Sequence, residues 1–153
     1  MSKYLKITAF FLSFFATIIF SSHVNAGING KLTVEIDGLR NDKGQICISL
    51  FNSSVGFPSE GNKSVEKKCV TIKERPLFIT YENLKFGSYA ITMYHDENMN
   101  GEIDRDVLGI PSEGFGFSNN PVIRDRAPKF GEAMFLVAGE NTNSKIEVKY
   151  SIF

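Results

Sequence analysis

The chain has 153 residues, with 17 basic side chains balanced by 17 acidic ones and 42% hydrophobic residues. That length suits a single domain, and the lack of net charge removes any electrostatic reason to expect nucleic acid or an anionic membrane surface as a partner. Two histidines and two cysteines are too few for a histidine-rich or four-cysteine zinc centre.

The N-terminus reads as a secretory signal. Lys3 and Lys6 supply a positive start, residues 9–20 form an apolar run, and Val24-Asn25-Ala26 places compact residues at a cleavage site. Polar Ser21, Ser22 and His23 end the run before the roughly 20 apolar residues that a spanning helix needs. A signal peptide over residues 1–26 is therefore expected, followed by one exported domain over residues 27–153, secreted or periplasmic. Without Lys3 and Lys6, 15 basic residues face 17 acidic ones, a net charge of −2.

Period-two alternation dominates the chain beyond the signal region. Leu32, Val34 and Ile36 predict a first strand, and turn residues Gly38, Asn41, Asp42 and Gly44 close it. Residues 46–51 predict a second strand with Ile46, Ile48 and Leu50 on one face, and residues 66–72 a third with Val70 and Ile72 together. Cys47 and Cys69 then fall on the opposite faces, free to pair as a disulfide in an oxidising compartment. Residues 77–81 and 89–94 add two strands, with a turn at Gly87 between them. Residues 133–137 and 145–152 close the pattern. The segment between, residues 112–128, carries Gly114, Gly116, Asn119-Asn120 and two prolines, so it reads as a long loop. Ile110, Phe115, Phe117, Val122 and Phe130 would anchor it as an ordered lid.

About seven short strands at 8–12-residue spacing predict an all-β antiparallel sandwich of immunoglobulin-like or transthyretin-like type. The turn Asn83-Leu84…Phe86-Gly87-Ser88-Tyr89 within residues 78–94 resembles that of transthyretin-like and carboxypeptidase-regulatory-like sandwiches, a likeness of fold alone.

The chemistry concentrates after the fifth strand. Asp96, Asn98, Asn100, Gly101 and Asp104 stand at positions 1, 3, 5, 6 and 9 of an EF-hand-type calcium loop. A hard cation takes six to eight oxygens, and alternating Asp and Asn side chains supply them from a curling backbone. The carbonyl of Glu102 is a further candidate, and Ile103 would pin the loop to the core. Val107 stands where the bidentate Glu belongs, so Asp106 or Glu113 would have to complete the shell. With Asn at two ligand positions, affinity on the order of 10⁻⁴–10⁻³ M is expected. The metal-free alternative is an Asx-rich turn in which the same side chains cap backbone amides.

His95 is the one histidine beyond the signal region. A buried, hydrogen-bonded strand-end histidine is one reading; an acid–base group working with Asp96 or Glu113 in a hydrolase is another. Ser118, His95 and Asp96 do not form a convincing triad, since no Gly-x-Ser-x-Gly elbow is present and adjacent strand residues point apart. Gly114-Phe115-Gly116 is not followed by a helix, which argues against a phosphate loop.

The run His95-Asp96-x-Asn98-x-Asn100-Gly101-x-x-Asp104, followed by Gly109-Ile110-Pro111-x-Glu113-Gly114-x-Gly116-Phe117-Ser118-Asn119-Asn120, resembles a family of secreted bacterial proteins catalogued as domain of unknown function 2141. The likeness extends to residues 32–36, to Leu84…Gly87-x-Tyr89-Ala90 and to Pro128-x-Phe130-x-x-Ala133-x-Phe135. It implies an extracytoplasmic β-sandwich and carries no activity with it; the cysteine pair is outside its pattern. The expected function is a non-enzymatic binding or accessory module stabilised by calcium, with a metal-free structural envelope protein and a His95 hydrolase as alternatives.

Overall fold

The computed structural model describes residues 29–124 and 126–151. The expected signal peptide and Ile152 lie outside the described residues. Eight strands run in chain order: β1 (Asn29–Asp37), β2 (Gln45–Phe51), β3 (Glu66–Thr71), β4 (Leu77–Lys85), β5 (Gly87–Asp96), β6 (Gly114–Phe117), β7 (Phe135–Val137) and β8 (Asn141–Glu147). They form two sheets, one ordered β4-β1-β8 and the other β3-β2-β5-β6 with β7 paired to the start of β5. Among the described residues no helix is long and apolar enough to cross a membrane.

Alternation decides which faces meet. Leu32, Val34 and Ile36 of β1, Ile79 and Tyr81 of β4 and Ile146 of β8 turn inward from the first sheet. Ile46, Ile48 and Leu50 of β2, with Tyr89, Ile91 and Met93 of β5, face them from the second, and all are buried in one core. β2 and β3 pair so that Cys47 stands opposite Cys69, and the two form the expected disulfide.

Three expectations about the elements are corrected. The strand count is eight rather than about seven, because β6 lies inside the segment read as continuous loop. There the sequence Gly-Phe-Gly-Phe alternates by size. A Cβ on Gly116 would come within 2.5 Å of Ile146 Cγ2 and 3.0 Å of Met93 Sδ, so glycine lets β6 lie close against the core while Phe115 and Phe117 point away from it. Next, residues 130–133 form a single helical turn, α1 (Phe130–Ala133), where the strand was expected to begin. Glu132 caps it by accepting the Lys129 N–H at 2.6 Å. Last, the closing strand covers Asn141–Glu147 and runs parallel to β1. Beyond Glu147 the chain leaves that sheet, and Lys149 bridges to Phe115 of β6 in the other.

Phe115 and Phe117 join Ala90 and Ala133 in a second apolar cluster, against which Phe57, Ile103, Ile123 and Phe130 pack. Most of the expected lid anchors belong to it. Val122 does not, being 83% exposed.

Candidate functional site

The acidic loop springs from the last residue of β5. Asp96 is fully buried. Its Oδ1 accepts the Asn100 N–H at 3.0 Å, and its Oδ2 accepts the Gly101 N–H at 2.9 Å and Gln45 Nε2 at 2.8 Å. Gly101 has φ +81°, a left-handed conformation that glycine adopts freely and that turns the chain back over Asp96.

The remaining side chains close the ring. Asn98 Oδ1 accepts the Asn100 N–H at 3.0 Å and Asn100 Oδ1 the Glu102 N–H at 2.8 Å. Asp104 takes one Nδ2–H from each asparagine, at 2.7 Å from Asn98 and 2.9 Å from Asn100. Glu113, 5% exposed, clamps the loop from the other side and accepts the N–H of Glu97 at 2.8 Å and of Asp104 at 3.0 Å. Asp96, Asn98, Asn100, Asp104 and Glu113 are thus brought together, and Glu102 joins them through its backbone. Asp106 is not: its Oδ1 accepts the N–H groups of Leu108 and Ile110 in a turn of its own. Between the two completing candidates, the fold gathers Glu113.

The three carboxylates receive only neutral donors through these hydrogen bonds. The Tyr94 phenol nearby is pushed up, first by burial and then by Asp96, Glu113 and Glu102. The Tyr94 hydroxyl donates to the carbonyl of Gly101, tying the loop to the outer face of β5. Among the described residues, however, no three His, Cys, Asp or Glu side chains are grouped so that they could hold a metal ion. Oxygens from asparagine or backbone would have to share the work.

His95 is fully buried with both ring nitrogens engaged. Nε2 lies 2.7 Å from the Lys43 carbonyl, which can only accept, so Nε2 carries the hydrogen. Nδ1, at 2.6 Å, then accepts from the Tyr150 hydroxyl, which itself accepts the Arg40 N–H. Glu97 comes no nearer than 3.8 Å to Nδ1 and is already held by Arg40 at 2.6 Å. The ring joins the β1–β2 connection to the C-terminal segment and, in this arrangement, offers no free nitrogen for proton transfer. Ser118 is elsewhere, donating to the Ala133 carbonyl and accepting the Ile91 N–H.

One feature of the outer face has no forerunner among the sequence motifs. Ile103, Arg105 and residues 109–111 from one loop, with Ile123, Arg124, Arg126 and Ala127 from another, line a cleft of ≈ 370 Å³ together with Phe115 and Phe117. Its walls come from segments far apart in the chain, so no local spacing could announce it; the aromatic pair Phe115 and Phe117 is the one local signal.

A family described as "Uncharacterized protein conserved in bacteria (DUF2141)" matches residues 34–145, and the chain belongs to that family. No curated protein and no solved structure matches it.

Proposed function

We propose that this DUF2141 protein is an exported, non-enzymatic binding or accessory module, an immunoglobulin- or transthyretin-like β-sandwich whose acidic loop takes a calcium ion. The observation that carries this reading is that Asp96 and Asp104 of the loop, and Glu113 clamping it from outside, are tied into one hydrogen-bond network in which neutral amides are the donors. Buried like charges without a cation are costly, and a hard divalent ion relieves that cost. The donor chemistry fits, since every candidate ligand atom is oxygen. Asn98 and Asn100 would turn their amides so that oxygen replaces nitrogen on the Asp104 side. The role of the ion is to stiffen the loop, and through Ile103 and Tyr94 the adjoining wall of the cleft.

Calcium is expected to raise the melting temperature and EDTA to lower it, with Asp96→Ala abolishing the difference between the two. Coincident melting curves in chelated and calcium-replete samples would remove the metal from the reading. One observation favours that metal-free alternative: the Asn98 and Asn100 oxygens already cap backbone amides, as an Asx-rich turn does.

A further inference from the structure

The cleft on the outer face of the second sheet has a floor and a rim of different chemistry. Its floor is apolar and aromatic, formed by Phe115, Phe117, Tyr94 and Ile123. Its rim carries Lys67, Arg105, Arg124 and Arg126, and no acidic side chain is among its described lining residues. In a chain with equal numbers of basic and acidic residues, such segregation is a local feature of this surface. Arg126 is held by Glu132 at 2.8 and 2.9 Å. Among the described residues Lys67, Arg105 and Arg124 have no carboxylate partner, and Arg105 donates only to the Gly109 carbonyl. They approach from three different segments: β3, the wall that follows the acidic loop, and the stretch before α1.

From this arrangement we infer that the cleft binds a small amphiphilic oxyanion, an apolar or aromatic body carrying a carboxylate or phosphate head. The body lies on Phe115 and Phe117, where it displaces water from apolar surface. The head meets the guanidinium groups of Arg105 and Arg124, whose planar forks match an oxyanion, with Lys67 of β3 adding a third positive charge to the lining. A cationic amphiphile finds no counter-charge among the described lining residues, and a neutral one leaves the rim unused. The cleft is of small-molecule size, so the occupant is a free molecule and not a polymer strand. This extends the binding-module part of the proposed function and does not depend on calcium.

The test is calorimetric titration of the natively processed chain with decanoate, decyl phosphate, decanol and decyltrimethylammonium, each in calcium and in EDTA. Decanoate, decyl phosphate or both are expected to bind at least about tenfold more tightly than decanol, roughly 1.4 kcal/mol, with the cation weaker still. Which of the two anions binds distinguishes a carboxylate head from a phosphate one. The double variant Lys67→Glu/Arg124→Glu, both positions exposed, is expected to lose the preference for anions while its melting curve stays that of the parent. Equal affinity for decanol and both anions, or a double variant that still prefers the anions, overturns the inference. Failure of the calcium reading is seen separately, as melting curves indifferent to EDTA.

Discussion

Ser118 illustrates how polar side chains in this protein are spent on joining segments. Its hydroxyl bridges the Ile91 N–H and the Ala133 carbonyl at a fully buried position. The next two residues continue the work: Asn119 donates to the Met134 carbonyl, and Asn120 donates to the Lys145 carbonyl while accepting the Glu147 N–H. Both asparagines hold positive φ, 62° and 46°, which this residue type tolerates better than most. The Ser-Asn-Asn of the family-like motif thus clips the end of β6 to β5, to the end of α1 and to β8. Ser118→Ala leaves a buried donor and a buried acceptor unmatched and should cost about 1–3 kcal/mol, read from the shift in a denaturant midpoint. His95 belongs to the same class of joining residue. Its strand-end position was legible from alternation; its partners, the Lys43 carbonyl and Tyr150, lie 52 and 55 residues away and were not. The acidic residues of the loop were legible in kind and spacing, because a tight oxygen-rich turn needs Asp, Asn and Gly close together in sequence. That Glu113 joins them and Asp106 does not was decided by how the chain returns into β6.

Among the elements, β6 was the hardest to read. Its glycines look like turn residues, yet each inward position is glycine because the neighbouring layer leaves no room for a side chain. Gly116→Ala places a methyl group against Ile146 and Met93, and the expected destabilisation is about 1–3 kcal/mol, as for an overpacked core, measured by thermal or chemical unfolding. The Cys47–Cys69 pair was legible because alternation put both cysteines on the non-core sides of their strands, and the register of β2 and β3 aligns them. Replacing both by serine releases a crosslink between residues 22 apart and should lower stability by about 3 kcal/mol in the chain-entropy model. The α1 turn depends on Glu132, whose carboxyl is lowered to about 2 from an ordinary 4.5, first by hydrogen bonding to Arg126 and then to the Lys129 backbone. A depressed carboxyl contributes its stabilisation above the unfolded value and loses it as pH falls toward the folded one. Amide exchange protection of residues 129–133 should therefore decline between about pH 4.5 and pH 2, and Glu132→Gln should remove that dependence.

On the scale of the whole molecule, the acidic loop and the cleft are neighbours built on one face of one sheet. Ile103 packs into the cluster around Phe115 and Phe117, and Tyr94 lines the cleft while donating to Gly101 of the loop. Any ligand that orders the loop should therefore also order one cleft wall. The testable consequence is that, if calcium binds, Tyr94→Phe weakens the coupling, reducing the effect of calcium on anion affinity in the same titrations while the melting response to calcium persists.

Residue order alone determined the all-β class, most of the strands, the pairing of the cysteines and the acidic turn after β5. Each of these comes from spacing over a few residues, or from which side of a strand a residue faces. Only the tertiary structure decided that β8 lies parallel to β1, that the glycines of β6 face the core, and that Lys67, Arg105 and Arg124 surround one aromatic floor. Those outcomes depend on which distant backbones pair and how closely two layers approach. No short-range pattern in the chain encodes that information, because it arises only when separated segments compete for the same buried surface.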